Sequence, residues 1–369
     1  MKLPRGIKNS QKHLSRMLND NIKPASPVQE SHSNAGWYIT FVAVVIISFL
    51  IVYISKDKID ANSTIVSVSE SVSTDLHEQK SKTITDKVDG EGSLDALIVS
   101  ANNLYDSQQY EDALDLYTKI IHQQPSNAEM YRMRGNTYYF LGDYNSALND
   151  YFKSIKIDSD QADIFSNIGH IYTLLKDYEK AILNCNEALN LDPESIFGYF
   201  NRAQAYEAIA DSVKAMLDYN KVIELDATHE SAYYYRGYIQ YGYGLYASAA
   251  SDFAMAIDLD PENLDSYLMK GAAEALSGKF DKSISTLTLL IQKSENPTDI
   301  VDAYYYRANV YYTNENYTNA ISDYTNALNV DLESHDPNLY LYRSDAYDKI
   351  GNTYMANLDM ERYNELVAE

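Results

Sequence analysis

Residues 128–161 read AEMYRMRGNTYYFLGDYNSALNDYFKSIKIDSDQ, and residues 162–195 read ADIFSNIGHIYTLLKDYEKAILNCNEALNLDPES. Both segments are 34 residues long, and their spacing is shared: a small residue (Gly135, Gly169), an aromatic three places later (Tyr138, Tyr172), and an alanine twelve places after the small one (Ala147, Ala181). Each reads as helix, turn, helix, because small residues at facing places let two helices of one unit approach closely. Neither unit buries its apolar face alone, so neighbours of the same kind are expected on both sides.

Working outward, the pattern begins at 94, 128, 162, 196, 230 and 264, then at 301 and 337 after insertions of three and two residues. The eighth place is always small: Ala101, Gly135, Gly169, Ala203, Gly237, Gly271, Ala308 and Ser344. The twentieth place holds Ala113, Ala147, Ala181, Ala215, Ala249, Ser283, Ala320 and Ala356. Aromatic side chains Tyr117, Tyr151, Tyr219, Phe253 and Tyr324 fill the twenty-fourth place, where packing between units is expected. Pro125, Pro193 and Pro261 end second helices, since proline cannot continue the hydrogen-bond ladder. A period found eight times over residues 94–369 is a far more specific signal than one short motif.

In these places the chain resembles the tetratricopeptide repeat (TPR) family. The resemblance implies an all-α fold, a right-handed α-solenoid of about eight helix-turn-helix units. It also implies that first helices line a concave groove through the second, fifth, ninth and twelfth places. Tyr105, Tyr139, Tyr234, Tyr238, Tyr241, Tyr305 and Tyr312 stand at such places, with Asn102, Asn136, His170, Gln204 and Asn309 among them. Asp95, Glu129, Asp163, Asp265 and Asp302 run along one edge. Tyrosine combines a large, rather rigid contact area with a polar tip. Proteins or peptides, with basic segments the suited class, are therefore the expected partners.

Some members of the family grip a C-terminal carboxylate of chaperones with Lys, Asn and Arg at set places. Arg132, Asn136 and Asn167 match three of those places in type, but Phe197 and Asn201 stand where two basic groups belong. The clamp therefore lacks much of its positive field.

Two further places vary together. Arg134 is matched by Asp150, Arg202 by Asp218, Arg236 by Asp252, Arg307 by Asp323 and Arg343 by Asp359. Where the arginine place holds Ser100, Ile168 or Lys270, the aspartate place holds Leu116, Asn184 or Thr286. This covariation predicts an ion pair between the two helices of a unit, a structural contact that lysine reproduces poorly.

Ahead of the repeats, Trp37 to Ile54 reads WYITFVAVVIISFLIVYI without a charge. Helical, at about 1.5 Å per residue, it nearly matches a hydrocarbon core of roughly 30 Å, so residues 37–54 are expected to form one transmembrane helix. The long polar segment before it and the absence of a small-x-small site argue against a cleaved signal. Residues 1–36 carry Lys2, Arg5, Lys8, Lys12, Arg16 and Lys23 against Asp20 and Glu30, a basic tail expected in the cytoplasm, with the repeats beyond the membrane in the periplasm or outside. Residues 55–93 are rich in Ser, Thr, Asp and Lys and lack aromatics, which reads as a flexible tether.

The whole chain bears a formal charge of −23, so its acidic body repels a phosphate backbone and nucleic acid is not an expected partner. Cys185 is the single cysteine and reads as a small buried hydrophobe. Gly242 to Ala247 fits G-x-G-x-x-A only in a turn between helices, so no dinucleotide site is expected. His170 has no metal-ligand neighbour in spacing, and no nucleophile–base constellation appears, so neither enzyme activity, cofactor nor metal is expected. Asn62-Ser63-Thr64 and Asn316-Tyr317-Thr318 accept glycans only in a glycosylating pathway. The last helix, about Thr353 to Glu369, carries Asn357, Asp359, Glu361, Arg362, Asn364 and Glu365 and is expected to be a polar cap. Self-association leaves no signature. The rival arrangement keeps the repeats in the cytosol, as in the import receptor of the mitochondrial outer membrane, which the order of anchor and repeats resembles.

Overall fold

The computed structural model describes residues 93–330 and 336–368, and the basic tail, the 37–54 span and the tether through 92 lie outside them. Among the described residues there are sixteen α-helices, no strand, and no helix long and apolar enough to cross a membrane. They pair as α1 (Leu94–Asp106) with α2 (Tyr110–Gln123), α3 (Ala128–Phe140) with α4 (Tyr144–Ile157), α5 (Ala162–Leu174) with α6 (Tyr178–Leu191), and α7 (Ile196–Ala208) with α8 (Ser212–Leu225). Next come α9 (Glu230–Gly242) with α10 (Tyr246–Leu259), α11 (Leu264–Leu276) with α12 (Phe280–Lys293), α13 (Pro297–Thr313) with α14 (Tyr317–Val330), and α15 (Pro337–Lys349) with α16 (Thr353–Ala368). The described residues fall into two compact units, one ending at Asp218 and the other starting at Tyr219. Each is built of successive helical hairpins.

One turn design joins the helices of every hairpin. Gln108, Gly142, Lys176, Ala210, Gly244, Gly278, Glu315 and Gly351 all have positive φ at the fifteenth place. The next residue donates its amide back to a carbonyl five residues earlier, as Asp143 does to Tyr138 and Asp211 to Tyr206. This six-to-one bond satisfies a carbonyl the ending helix leaves open. Where that residue is Asp143, Asp177, Asp211, Asn316 or Asn352, its side chain also accepts an amide of the following helix, so one residue closes one helix and opens the next.

The core follows from the small and aromatic places. Ala113, Ala147, Ala181, Ala249 and Ala320 are fully buried, and Tyr117, Tyr151, Phe253 and Tyr324 are at most 1% exposed against them. At Gly169 an added Cβ would lie 2.4 Å from Cys185 Sγ, so only glycine permits that approach. Burying one such aromatic contributes about 1.5–3 kcal/mol to the hairpin that carries it.

The three-residue insertion before 301 is an extra helical turn: α13 starts at Pro297, with Asn296 capping it and proline in the first turn. The last helix is not evenly polar, because Asp359 is 4% exposed and turned inward to Arg343, while Tyr354 is 73% and Val367 60% exposed. The ion pair takes the carboxylate away from the surface.

Candidate functional site

The five arginines of the covarying places sit on first helices, each facing its aspartate on the second helix of the same hairpin. In all five, Nε and Nη2 donate to the two carboxylate oxygens at 2.6–2.9 Å: Arg134 to Asp150, Arg202 to Asp218, Arg236 to Asp252, Arg307 to Asp323 and Arg343 to Asp359. The third nitrogen, Nη1, reaches the preceding hairpin at 2.7–3.1 Å, where Thr118, Asn186, Asn220, Thr288 and Thr325 accept. Tyrosine rings lie beside the guanidinium planes, as Tyr199 does 5.4 Å from Arg202 and Tyr304 5.4 Å from Arg307. Each arginine thus ties its own two helices together and also fastens the hairpin before it. These residues are structural, with both ends of each ion pair engaged within the fold.

A second pairing governs several asparagines at the ninth place. Tyr117 donates its hydroxyl to Asn102 at 2.8 Å, Tyr151 to Asn136 at 2.7 Å and Tyr324 to Asn309 at 2.6 Å. A buried tyrosine needs an acceptor for its hydroxyl, and this asparagine supplies it. Asn136, expected to face a ligand, therefore has its side-chain oxygen committed to the core. The signal was present in the sequence, since His170 and Tyr238 replace the asparagine where Cys185 and Phe253 replace the tyrosine.

In the first unit, the first helices present Tyr105, Arg132, Tyr139, Asn167 and His170. Arg132 is held by Glu129, with Nε donating at 2.7 Å, and by Asp163 at 3.4 Å, so its charge is largely neutralised. Tyr105 is half-buried, edge-on to Tyr110 at 5.7 Å and Phe140 at 5.8 Å, and burial pushes its phenol up to about 12. Tyr139 meets His170 Nε2 at 3.0 Å, and burial holds the His170 ring below the ordinary histidine range. Asn167 is half-buried. Phe197, 68% exposed, projects from the second place of α7, where the preceding repeats carry Asp95, Glu129 and Asp163. Its aromatic exposure, in line with those acids, carries more information than its failure to match a carboxylate clamp.

The second unit corrects the expectation for Tyr305. Tyr305 is 3% exposed and packs on Tyr306 at 5.3 Å and Tyr342 at 5.7 Å, so it belongs to the core. Tyr234, Tyr238 and Tyr241 pack against the buried cluster of Phe253 and Met269, and Tyr234 meets Phe253 edge-on at 5.7 Å. Burial raises the phenols of Tyr234 and Tyr241 well above their usual range. Tyr312 is half-buried and donates its hydroxyl to Asp345. Periodicity places all of these on one helix face but does not say how far a large ring folds back against its neighbour.

Cys185 is fully buried, and burial pushes its thiol up to about 12, far from a reactive thiolate. Among the described residues, no three His, Cys, Asp or Glu side chains gather as metal ligands.

Family models described as TPR repeat match residues 135–176, and models described as tetratricopeptide repeat match 162–195, 198–229 and 301–333. No curated protein matches the chain at a significant level. Among solved structures, the C-terminal part of a TPR repeat-containing protein from Cytophaga hutchinsonii is 20% identical, covering 68% of this chain and 98% of its own, with a TM-score of 0.55. PilF of Pseudomonas aeruginosa is 20% identical over 54% of this chain and 90% of its own, with a TM-score of 0.50. PilW, described as a widely conserved type IV pilus biogenesis factor, is 15% identical over 56% and 97%, also at 0.50. At these identities the likeness is one of fold.

Proposed function

From the tetratricopeptide repeats this chain carries, we propose that it is a membrane-anchored scaffold that binds proteins or peptides through the first-helix face of those repeats. The carrying observation is the row of Asp95, Glu129, Asp163 and the exposed ring of Phe197 at one repeat place of successive first helices. A lysine- or arginine-bearing segment suits that row: three acids against the one Arg132 leave it net negative, and the ring supplies an apolar anchor. The uncharged run from Trp37 to Ile54 supplies the anchor, with the basic tail in the cytoplasm and the repeats beyond the membrane. No catalytic step enters this reading.

Two measurements test it. A photo-crosslinking amino acid at Phe197 in the full-length chain in cells is expected to trap a protein adduct that the same group at Phe152, on α4, does not. Equal labelling from both positions counts against the face. Protease protection of a C-terminal epitope from the cytosolic side is expected, and cleavage there places the repeats in the cytosol instead.

A further inference from the structure

Between α10, α11 and α12 lies a hollow of about 590 Å³, open to solvent along one side and contained within the second unit. It exists because two regularities lapse together. At the place of Ala250 the other hairpins carry larger groups, among them Leu114, Leu148, Ile182, Met216 and Ile284; at that of Ala254 they carry Thr118, Phe152, Asn186, Asn220 or Thr288. The arginine that reaches this place elsewhere is Lys270, whose Nζ is drawn instead to Thr286 at 3.1 Å and Glu274 at 3.4 Å. Thr286 in turn donates to Glu274 at 2.7 Å, so the buried carboxylate is satisfied from within. What remains is an alanine-walled trough with an ammonium group in its floor.

The mouth carries Lys279, Lys282 and Asp281, all exposed. The side-chain ammonium groups of the two lysines have no hydrogen-bond or ion-pair partner among the described residues. With Glu274 matched to Lys270, the mouth is net positive on a chain of −23. The hollow joins an alanine wall to a few charged groups at one end. Its open side fits an extended chain better than an enclosed small molecule.

We propose that this trough docks an acidic peptide segment of a partner protein, an aliphatic side chain entering beside Ala250 and Ala254 and carboxylates meeting Lys279 and Lys282. The proposal rests on the protein-binding reading and adds to it a second surface of opposite charge preference. The acid row of the first helices takes basic segments, and this trough takes acidic ones, so one molecule can hold two unlike partners.

The test uses the purified full-length chain and two short fluorescein-labelled peptides, one alternating Glu and Leu, the other Lys and Leu, followed by fluorescence anisotropy. The Glu-Leu peptide is expected to bind. Its affinity is expected to fall about tenfold in the Lys279→Glu, Lys282→Glu double variant and comparably in Ala254→Phe, which fills the trough. Neither change is expected to weaken the Lys-Leu peptide. If Ala254→Phe loses helicity, the double variant, altering only exposed side chains, decides. Unchanged affinity for the Glu-Leu peptide in the double variant overturns the proposal, as does its failure to bind. Binding of the Lys-Leu peptide alone overturns the trough and leaves the first-helix reading standing; binding of neither removes both.

Discussion

Each of the five arginines divides its guanidinium between two directions, two nitrogens toward the aspartate of its own hairpin and one toward the hairpin before it. Arg202 illustrates the energetics, its side chain 20% exposed and that of Asp218 8%. A desolvated carboxylate is costly unless it stays paired, so removing the partner costs more than the pair itself contributes. Arg202→Ala is expected to destabilise by about 3 kcal/mol, read as a lowered urea midpoint. Arg202→Lys is expected to recover only part of this, since one ammonium cannot make the planar double bond to Asp218 and also reach Asn186. Full recovery by lysine would mean that charge alone matters and the fork geometry does not.

At the scale of the helical hairpin, the left-handed residue of the turn sets the cost. Glycine fills that place in four turns, but Gln108, Lys176, Ala210 and Glu315 hold it with φ between 58° and 64°. A side chain in that conformation costs about 1–2 kcal/mol. Glycine removes the strain and gives back roughly 0.4–1 kcal/mol through a freer unfolded chain. Strain relief is the larger effect, so Ala210→Gly is expected to raise the melting temperature, while Gly142→Ala, starting from φ +81°, lowers it. Opposite signs at two equivalent places distinguish backbone strain from any loss of packing, since an added Cβ at Gly142 meets nothing within 4 Å.

Across the first unit, stability is a sum of hairpins and the interfaces between them, and those interfaces differ. Between the second and third hairpins the arginine is missing, with Ile168 at its place, and Phe152, 46% exposed, stands where the acceptor would be. Helix α4 also packs less extensively on α5 than α2 does on α3 or α6 on α7. Local opening favours the interface with the fewest buried contacts. Amide exchange is therefore expected to separate α1–α4 from α5–α7, each protecting as its own block. Uniform protection across that junction would show that apolar stacking alone couples the hairpins.

The sequence by itself determined the repeat, its eight-fold recurrence and the helical class, because small, aromatic and proline places recur with one period, and a period is a local property of the chain. It also exposed the Arg–Asp covariation, since two charges that come and go together need no coordinates to be noticed. Only the tertiary structure decided that the third guanidinium nitrogen joins neighbouring hairpins, that Asn136 and Asn309 serve core tyrosines, and that Tyr305 is buried while Phe197 projects. Periodicity fixes the helix face a side chain starts from; how deeply it is buried depends on the volumes its neighbours bring, and those come from other turns of the chain.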